Sequence, residues 1–175
     1  MTSRVTDAGG GRVCDGAVSI RRATARDAKR LTRLVQRSGA YEGPYAPMVA
    51  GYRVGPDYIE THRVFVATDG DAGAAGGADV HTGARLLGFY SLVLTPPELD
   101  LMFVADDAQG RGIGRRLVAH MMGQARDAGL DGVRVVSHPP AEGFYLSMGG
   151  RRTGTEAANP PAVMWDRPEL IIPVA

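Results

Sequence analysis

From Glu98 to Ala128 the chain reads ELDLMFVADDAQGRGIGRRLVAHMMGQARDA, two carboxylates followed by a glycine-rich, arginine-bearing loop. Glu98 and Asp100 are spaced so that an extended strand would turn both to one face, where either could take a proton from the same molecule. Gln109-Gly110-Arg111-Gly112-Ile113-Gly114 then opens a segment in which Leu117, Val118, Met121, Met122 and Ala125 recur at helical spacing. Strand, glycine loop and helix together offer main-chain N–H groups to an anion. Glycine clears away the side chains that would hold a phosphate off the backbone, and Arg111, Arg115 and Arg116 add positive charge. The pattern suits an acid–base centre beside an anion cradle larger than a single phosphate needs.

Glycine loops serve several purposes. This one lacks the Lys-Ser/Thr ending of a nucleoside-triphosphate loop. The dinucleotide pattern Gly-x-Gly-x-x-Gly fails in both frames, placing its third glycine on Arg115 or on Leu117. A loop that merely needs tight turns would carry the same glycines. Gln109-Gly110-Arg111-Gly112-Ile113-Gly114 nevertheless resembles the Gln/Arg-x-x-Gly-x-Gly/Ala signature of the GNAT superfamily of acyl-CoA N-acyltransferases. Leu101-Met102-Phe103-Val104 resembles the family's central strand. Ala141-Glu142-Gly143-Phe144-Tyr145-Leu146-Ser147-Met148-Gly149-Gly150 resembles its Ala-x-x-Phe-Tyr-x-x-x-Gly-Phe segment, with Gly150 in place of Phe. Pro140 stands where the family often has Asn. The likeness runs loosely from Ser19 to about Asp166.

The resemblance implies an α/β fold, a mixed and mostly antiparallel central sheet flanked by helices. It also implies acetyl-CoA as cosubstrate, held along Met102, Phe103, Val104, Gln109, Gly110, Arg111, Gly112, Ile113, Gly114 and Arg115, with pantetheine in a slot between splayed central and fifth strands. No metal is implied, and His62, His81, His120 and His138 show no metal-site spacing. Acylation of an amine by a thioester needs a base for the ammonium proton, a donor for the oxyanion and a proton for the departing thiolate. Glu98 falls where several family members carry a glutamate base; Asp100 is the alternative, and both could instead be solvated or paired with arginines. The Tyr145 hydroxyl matches the family's tyrosine acid, against the bland reading of an aromatic packed beside Phe144. The oxyanion donor would be a main-chain N–H near Phe103 or Val104, where the family's strand often bulges. Tyr41, Tyr45 and Tyr52 could bind the acceptor, with help from Trp165, or simply fill the core.

These residues call for elements to position them. Strands are expected at 17–22, 63–68, 85–94, 98–104, 132–137, 151–155 and 163–167, and helices at 25–38, at 140–148 and after Gly114 through the stripe from Leu117 to Ala125. Short helical pieces are expected within the proline- and glycine-broken stretch between Gly39 and His62. At 175 residues, 44% hydrophobic and 22% charged, the chain reads as one globular domain over 17–170 preceded by a flexible segment, 1–16. Residues 69–84, mostly Gly, Ala and Asp, read as a surface loop. A net charge of +1 gives no pull toward nucleic acid or membrane, and the lone cysteine, Cys14, excludes an internal disulfide. No signal-peptide or membrane-length apolar run is found, so a cytoplasmic location is the default. The expected function is transfer of an acetyl group from acetyl-CoA to a primary amine of a small molecule by direct attack, with a homodimer left open. Two alternatives stand beside it: transfer of a longer acyl group from CoA or an acyl carrier protein, in a biosynthetic or self-resistance pathway, and a non-catalytic acyl-CoA sensor.

Overall fold

The computed structural model describes residues 17–70 and 84–175. The expected flexible segment 1–16 with Cys14, and most of the 69–84 loop with His81, lie outside the described residues. Seven strands form one sheet in the order β1-β2-β3-β4-β5-β7-β6: β1 Val18–Arg22, β2 Arg63–Asp69, β3 Arg85–Leu94, β4 Pro97–Val104, β5 Gly132–Val136, β6 Arg151–Glu156 and β7 Arg167–Pro173. Every neighbouring pair is antiparallel except β4 and β5, as the expected mixed, mostly antiparallel sheet requires. Helices α1 (Ala28–Gln36), α2 (Pro47–Ala50) and α3 (Pro56–Thr61) follow β1; α4 (Ile113–Asp127) follows β4 and α5 (Glu142–Ser147) follows β5. No helix among the described residues is long and apolar enough to cross a membrane.

Each face of the sheet buries one cluster. On one side Leu31 and Val35 of α1 join Val49, Val54 and Ile59 over Val64, Val66, Phe89, Leu101 and Phe103. On the other, Ile113, Leu117, Val118, Met121 and Ala125 of α4 pack on Leu87, Leu92, Leu99, Val133 and Val135. The α4 stripe is the one expected, with Ile113 added and Met122 half-buried. The turn into α1 is fixed by Asp27, whose buried carboxylate takes a two-pronged hydrogen bond from Arg21 (2.9 Å each) and one from the Thr24 N–H (2.9 Å). Burial alone would raise the Asp27 pKa, but these donors hold it below the usual carboxylate range.

The last strand is not at 163–167, where it was expected. Val163 makes only an isolated bridge to Asn159, while Arg167–Pro173 threads between β5 and β6 and buries Leu170 and Ile172. Packing between β3 and β4 is close enough to forbid a side chain at Gly88, where a Cβ would lie 2.7 Å from the Phe103 carbonyl and 3.2 Å from Leu117 Cδ1. Gly88→Ala is therefore expected to cost about 1–3 kcal/mol in urea unfolding; unchanged stability would mean that the strands can part there freely.

Two irregularities in β4 shape the site. Ser91 pairs with Leu101 and Leu92 with Leu99, so Asp100 is the extra residue of a bulge. The expected position, Phe103 or Val104, is instead regularly paired with Phe89 and Gly88. On its other edge β4 meets β5 at only Glu98↔Arg134 and Leu99↔Val135; beyond Leu99 the two strands diverge.

Candidate active site

Where β4 and β5 diverge, a cavity opens on each side. One, about 520 Å³, is lined by Met102, Val104, Gln109, Gly110, Gly112, Ile113, Gly114, Arg115 and the α5 residues Phe144 and Tyr145. The other, about 190 Å³, lies under α1 and α2 and takes in Tyr41, Tyr52, Glu98, Asp100, Phe103, Tyr145 and Arg167. Met102 and Tyr145 line both. A molecule extending along the first cavity can therefore meet one held in the second at these two side chains.

The glycine loop builds the first cavity as its residue types require. Gly110 and Gly112 have φ of 77° and 75°, the left-handed region that favours glycine, and Gly112 is the N-cap of α4. Gly114 brings the helix against α5, since a Cβ there would stand 3.2 Å from the Phe144 ring. Main-chain N–H groups at the start of this fifteen-residue helix have no intrahelical acceptor and carry the positive end of its dipole. A polyanionic cosubstrate fits this donor set. Arg111 is exposed on the same loop. Phe103 stands apart from the other expected cradle residues, facing the second cavity.

Main-chain donors also face the gap. The Ala105 N–H bonds the Leu87 carbonyl of β3 at 2.8 Å. By two-residue alternation the Phe103 N–H turns to β3 as well, while those of Met102 and Val104 turn to the β5 side, where no strand is paired with them. Of Phe103 and Val104, only Val104 turns its N–H to the gap.

The acids occupy distinct settings. Glu98 accepts from Arg134 (3.0 Å), which also binds Glu156 (3.0 Å) and Glu169 (2.7 Å). Arg134 and the Thr153 hydroxyl hold the Glu169 pKa below its ordinary value. Asp100, in the bulge, accepts from the Tyr58 hydroxyl, which lies 2.7 Å from the buried Ser91 Oγ. Burial raises the Tyr58 pKa and the Asp100 carboxylate raises it further, so Tyr58 stays a donor; the same two causes push Tyr52 up to about 12. Tyr145 is buried on α5 and burial raises its pKa too. Its hydroxyl makes no hydrogen bond to the described residues.

Of the expected acceptor residues, Tyr41 and Tyr52 line the smaller cavity, but Tyr45 does not. Tyr45 instead packs edge-on against His138 and Trp165, each at 4.6 Å, and His138 stacks on Tyr41 at 4.2 Å. The four rings clasp the segment after α1 to the loops following β5 and β6. The sequence marked His138 only as a histidine without metal-site spacing; its Nε2 lies 2.7 Å from the Ala40 carbonyl and must therefore carry the proton, leaving Nδ1 buried without a partner among the described residues. Asp106 was missed as well: its carboxylate accepts the Gly39 N–H at 3.0 Å and tethers this segment to the glycine loop. His120, outside both cavities, has Nδ1 2.8 Å from the Tyr90 hydroxyl. Among the described residues no group of three or more His, Cys, Asp or Glu is placed to hold a metal.

Burial lowers the pKa of both His120 and His138, in His138 against a smaller opposing effect of the Ala40 hydrogen bond. A depressed folded-state value means stability that is present above the ordinary histidine pKa of about 6.5 and lost as pH falls through the lowered values. Thermal melts should show the midpoint falling from about pH 6.5 downward, with a shallower slope in His120→Gln and His138→Gln. An identical slope in both variants would exclude these rings as the cause.

Residues 78–159 match the acetyltransferase (GNAT) domain family. None of the curated proteins matches the chain by sequence. Among solved structures, it is similar to a GCN5-related N-acetyltransferase from Rhodopseudomonas palustris, with a TM-score of 0.69 at 15% identity over 94% of this chain and 99% of that one. It is also similar to the ribosomal-protein-S18-alanine N-acetyltransferase of Escherichia coli, TM-score 0.63 at 15% identity over 91% and 95% of the two chains. An IAA acetyltransferase from Bacillus cereus ATCC 14579 gives 0.58 at 20% identity over 90% and 99%.

Proposed function

We propose that this chain, whose residues 78–159 match the acetyltransferase (GNAT) domain family and whose fold is that of GNAT acetyltransferases, is an acyltransferase that moves the acetyl group of acetyl-CoA to the primary amine of a small molecule by direct attack. The observation that carries this reading is the meeting of two cavities at Met102 and Tyr145, one ending at a glycine-lined helix start and the other at carboxylates. Acetyl-CoA supplies the thioester carbonyl, with its phosphates held by the loop from Gln109 to Arg115 and its extended arm beside the unpaired edge of β4.

Asp100 is the proton acceptor in this reading. The bulge and Tyr58 orient it, and it is free of the ion pair that engages Glu98. Glu98 and Arg134 fix the end of the slot and keep negative charge near an incoming ammonium. The Val104 N–H donates to the carbonyl oxygen as charge gathers on it. Tyr145, neutral at pH 7 and at the junction, gives its proton to the leaving sulfur. The acetyl group needs no halfway station on the protein.

A panel of primary amines with acetyl-CoA, followed by free-thiol release and by mass spectrometry, tests the reading. Acetylated amine with equimolar thiol is expected. Thiol release only with longer acyl-CoA donors or an acyl carrier protein would move the donor assignment, and CoA binding without turnover of any amine would make the protein a sensor.

A further inference from the structure

The charges around the smaller cavity are unevenly shared. Arg134 gathers three carboxylates, Glu98, Glu156 and Glu169, whereas Arg167, at the start of β7, has none among the described residues. Arg167 is in register with Glu156 across β6 and β7, where a cross-strand ion pair is the ordinary outcome. Glu156 turns to Arg134 instead, at 3.0 Å. The Arg167 Nε is buried with no hydrogen-bond partner, and its guanidinium makes no ion pair with any described residue. It lines the same cavity as Glu98 and Asp100, whose wall also includes the apolar side chains of Val49, Leu101 and Phe103. A half-buried guanidinium without a counter-charge is costly, and an anion in the cavity that Arg167 lines would relieve that cost. A planar guanidinium fork suits a carboxylate.

We propose that Arg167 anchors a carboxylate carried by the acceptor, so that the substrate class is a small zwitterionic amine of amino-acid type with an apolar body. The proposal rests on the amine-acylation reading above and narrows it. The ammonium end is drawn to Asp100 and Glu98, the carboxylate end to Arg167, and the apolar body lies on the apolar part of the wall. At about 190 Å³ the cavity is smaller than those that enclose drug-sized ligands, consistent with a compact substrate. Arg167 positions the acceptor and takes no part in proton transfer.

The test compares amines that differ only by a carboxylate, an apolar α-amino acid and the amine left by its decarboxylation, in acetylation kinetics and in calorimetry on the CoA-bound protein. The wild type should favour the carboxylated member by about 10–100-fold in kcat/KM, the worth of a charge-assisted hydrogen bond. Arg167→Gln should raise the KM of the amino acid by that factor and leave the decarboxylated amine within about twofold, and Arg167→Lys should recover part of the loss. Equal use of both amines by the wild type, or an equal loss for both in Arg167→Gln, overturns the anchor. If Arg167→Gln does not fold, the wild-type preference and Arg167→Lys decide. Should no amine be acetylated, amino-acid binding that is lost in Arg167→Gln would keep the anchor and remove the transfer reading; absent binding removes the anchor.

Discussion

Tyr145→Phe is expected to lower kcat by about 10²-fold while leaving the KM for acetyl-CoA nearly unchanged. The substitution deletes one oxygen and keeps the ring, which packs edge-on against Phe144 at 5.1 Å, so the local fold has no reason to shift. The hydroxyl makes no hydrogen bond to the described residues, so its removal leaves no orphaned protein group behind. What it removes is a donor at the junction of the two cavities, held protonated by burial. Steady-state kinetics at saturating acceptor decides the matter. An unaltered kcat would reduce Tyr145 to a packing residue and leave the thiolate to be protonated by water.

Gly112→Glu should weaken CoA binding by at least about 10²-fold, through two additive causes. A φ of 75° is strained for any residue with a Cβ, and a carboxylate at the start of α4 repels the anion the helix end would attract. No atom lies within 4 Å of a Cβ built there, so the main body of the protein has room for the change. Gly112→Asn separates the causes, because asparagine tolerates the left-handed region and carries no charge; it should retain much more affinity. Calorimetry showing unchanged CoA affinity in Gly112→Glu would remove the anion-cradle reading of this loop.

Much of the frame was legible because it rests on local pattern. The α4 stripe, the glycine loop and the continuous apolar runs of β2 and β3 each announce themselves within a dozen residues. β7 was missed for a physical reason: Pro168 and Pro173 lack the N–H that a sheet ladder uses, and such residues argue against an interior strand. Here the Pro168 carbonyl still accepts from the Ser137 N–H at 2.9 Å, and Leu170 and Ile172 supply the burial. The bulge at Asp100 carries no glycine to mark it. It moves the irregularity in β4 toward the acids and away from Phe103.

The ion cluster was illegible on different grounds. Arg134 sits between two valines of a strand read as buried, and its partners Glu98, Glu156 and Glu169 lie 36, 22 and 35 residues away. Only the sheet order, with β7 between β5 and β6, brings them together. Glu156, although it is the cross-strand neighbour of Arg167, turns to Arg134 and leaves Arg167 without an ion pair among the described residues. His138 showed no partner in sequence because its partners, the Ala40 carbonyl and the rings of Tyr41 and Tyr45, come from the far side of the chain.

The brief contact between β4 and β5 has a thermodynamic consequence. Among the described residues two pairs, Glu98↔Arg134 and Leu99↔Val135, are all the strand pairing between the four-strand half of the sheet and the three-strand remainder. Past that seam, the Met102 and Val104 amides sit mid-sheet by position yet should trade their protons for deuterium like those of an edge strand. A ligand lying along the seam couples the halves, and at a hundredfold excess over its Kd it adds about 2.7 kcal/mol to the folded state. The rigidity of the molecule and the supply of its cosubstrate then vary together, without any second site to link them.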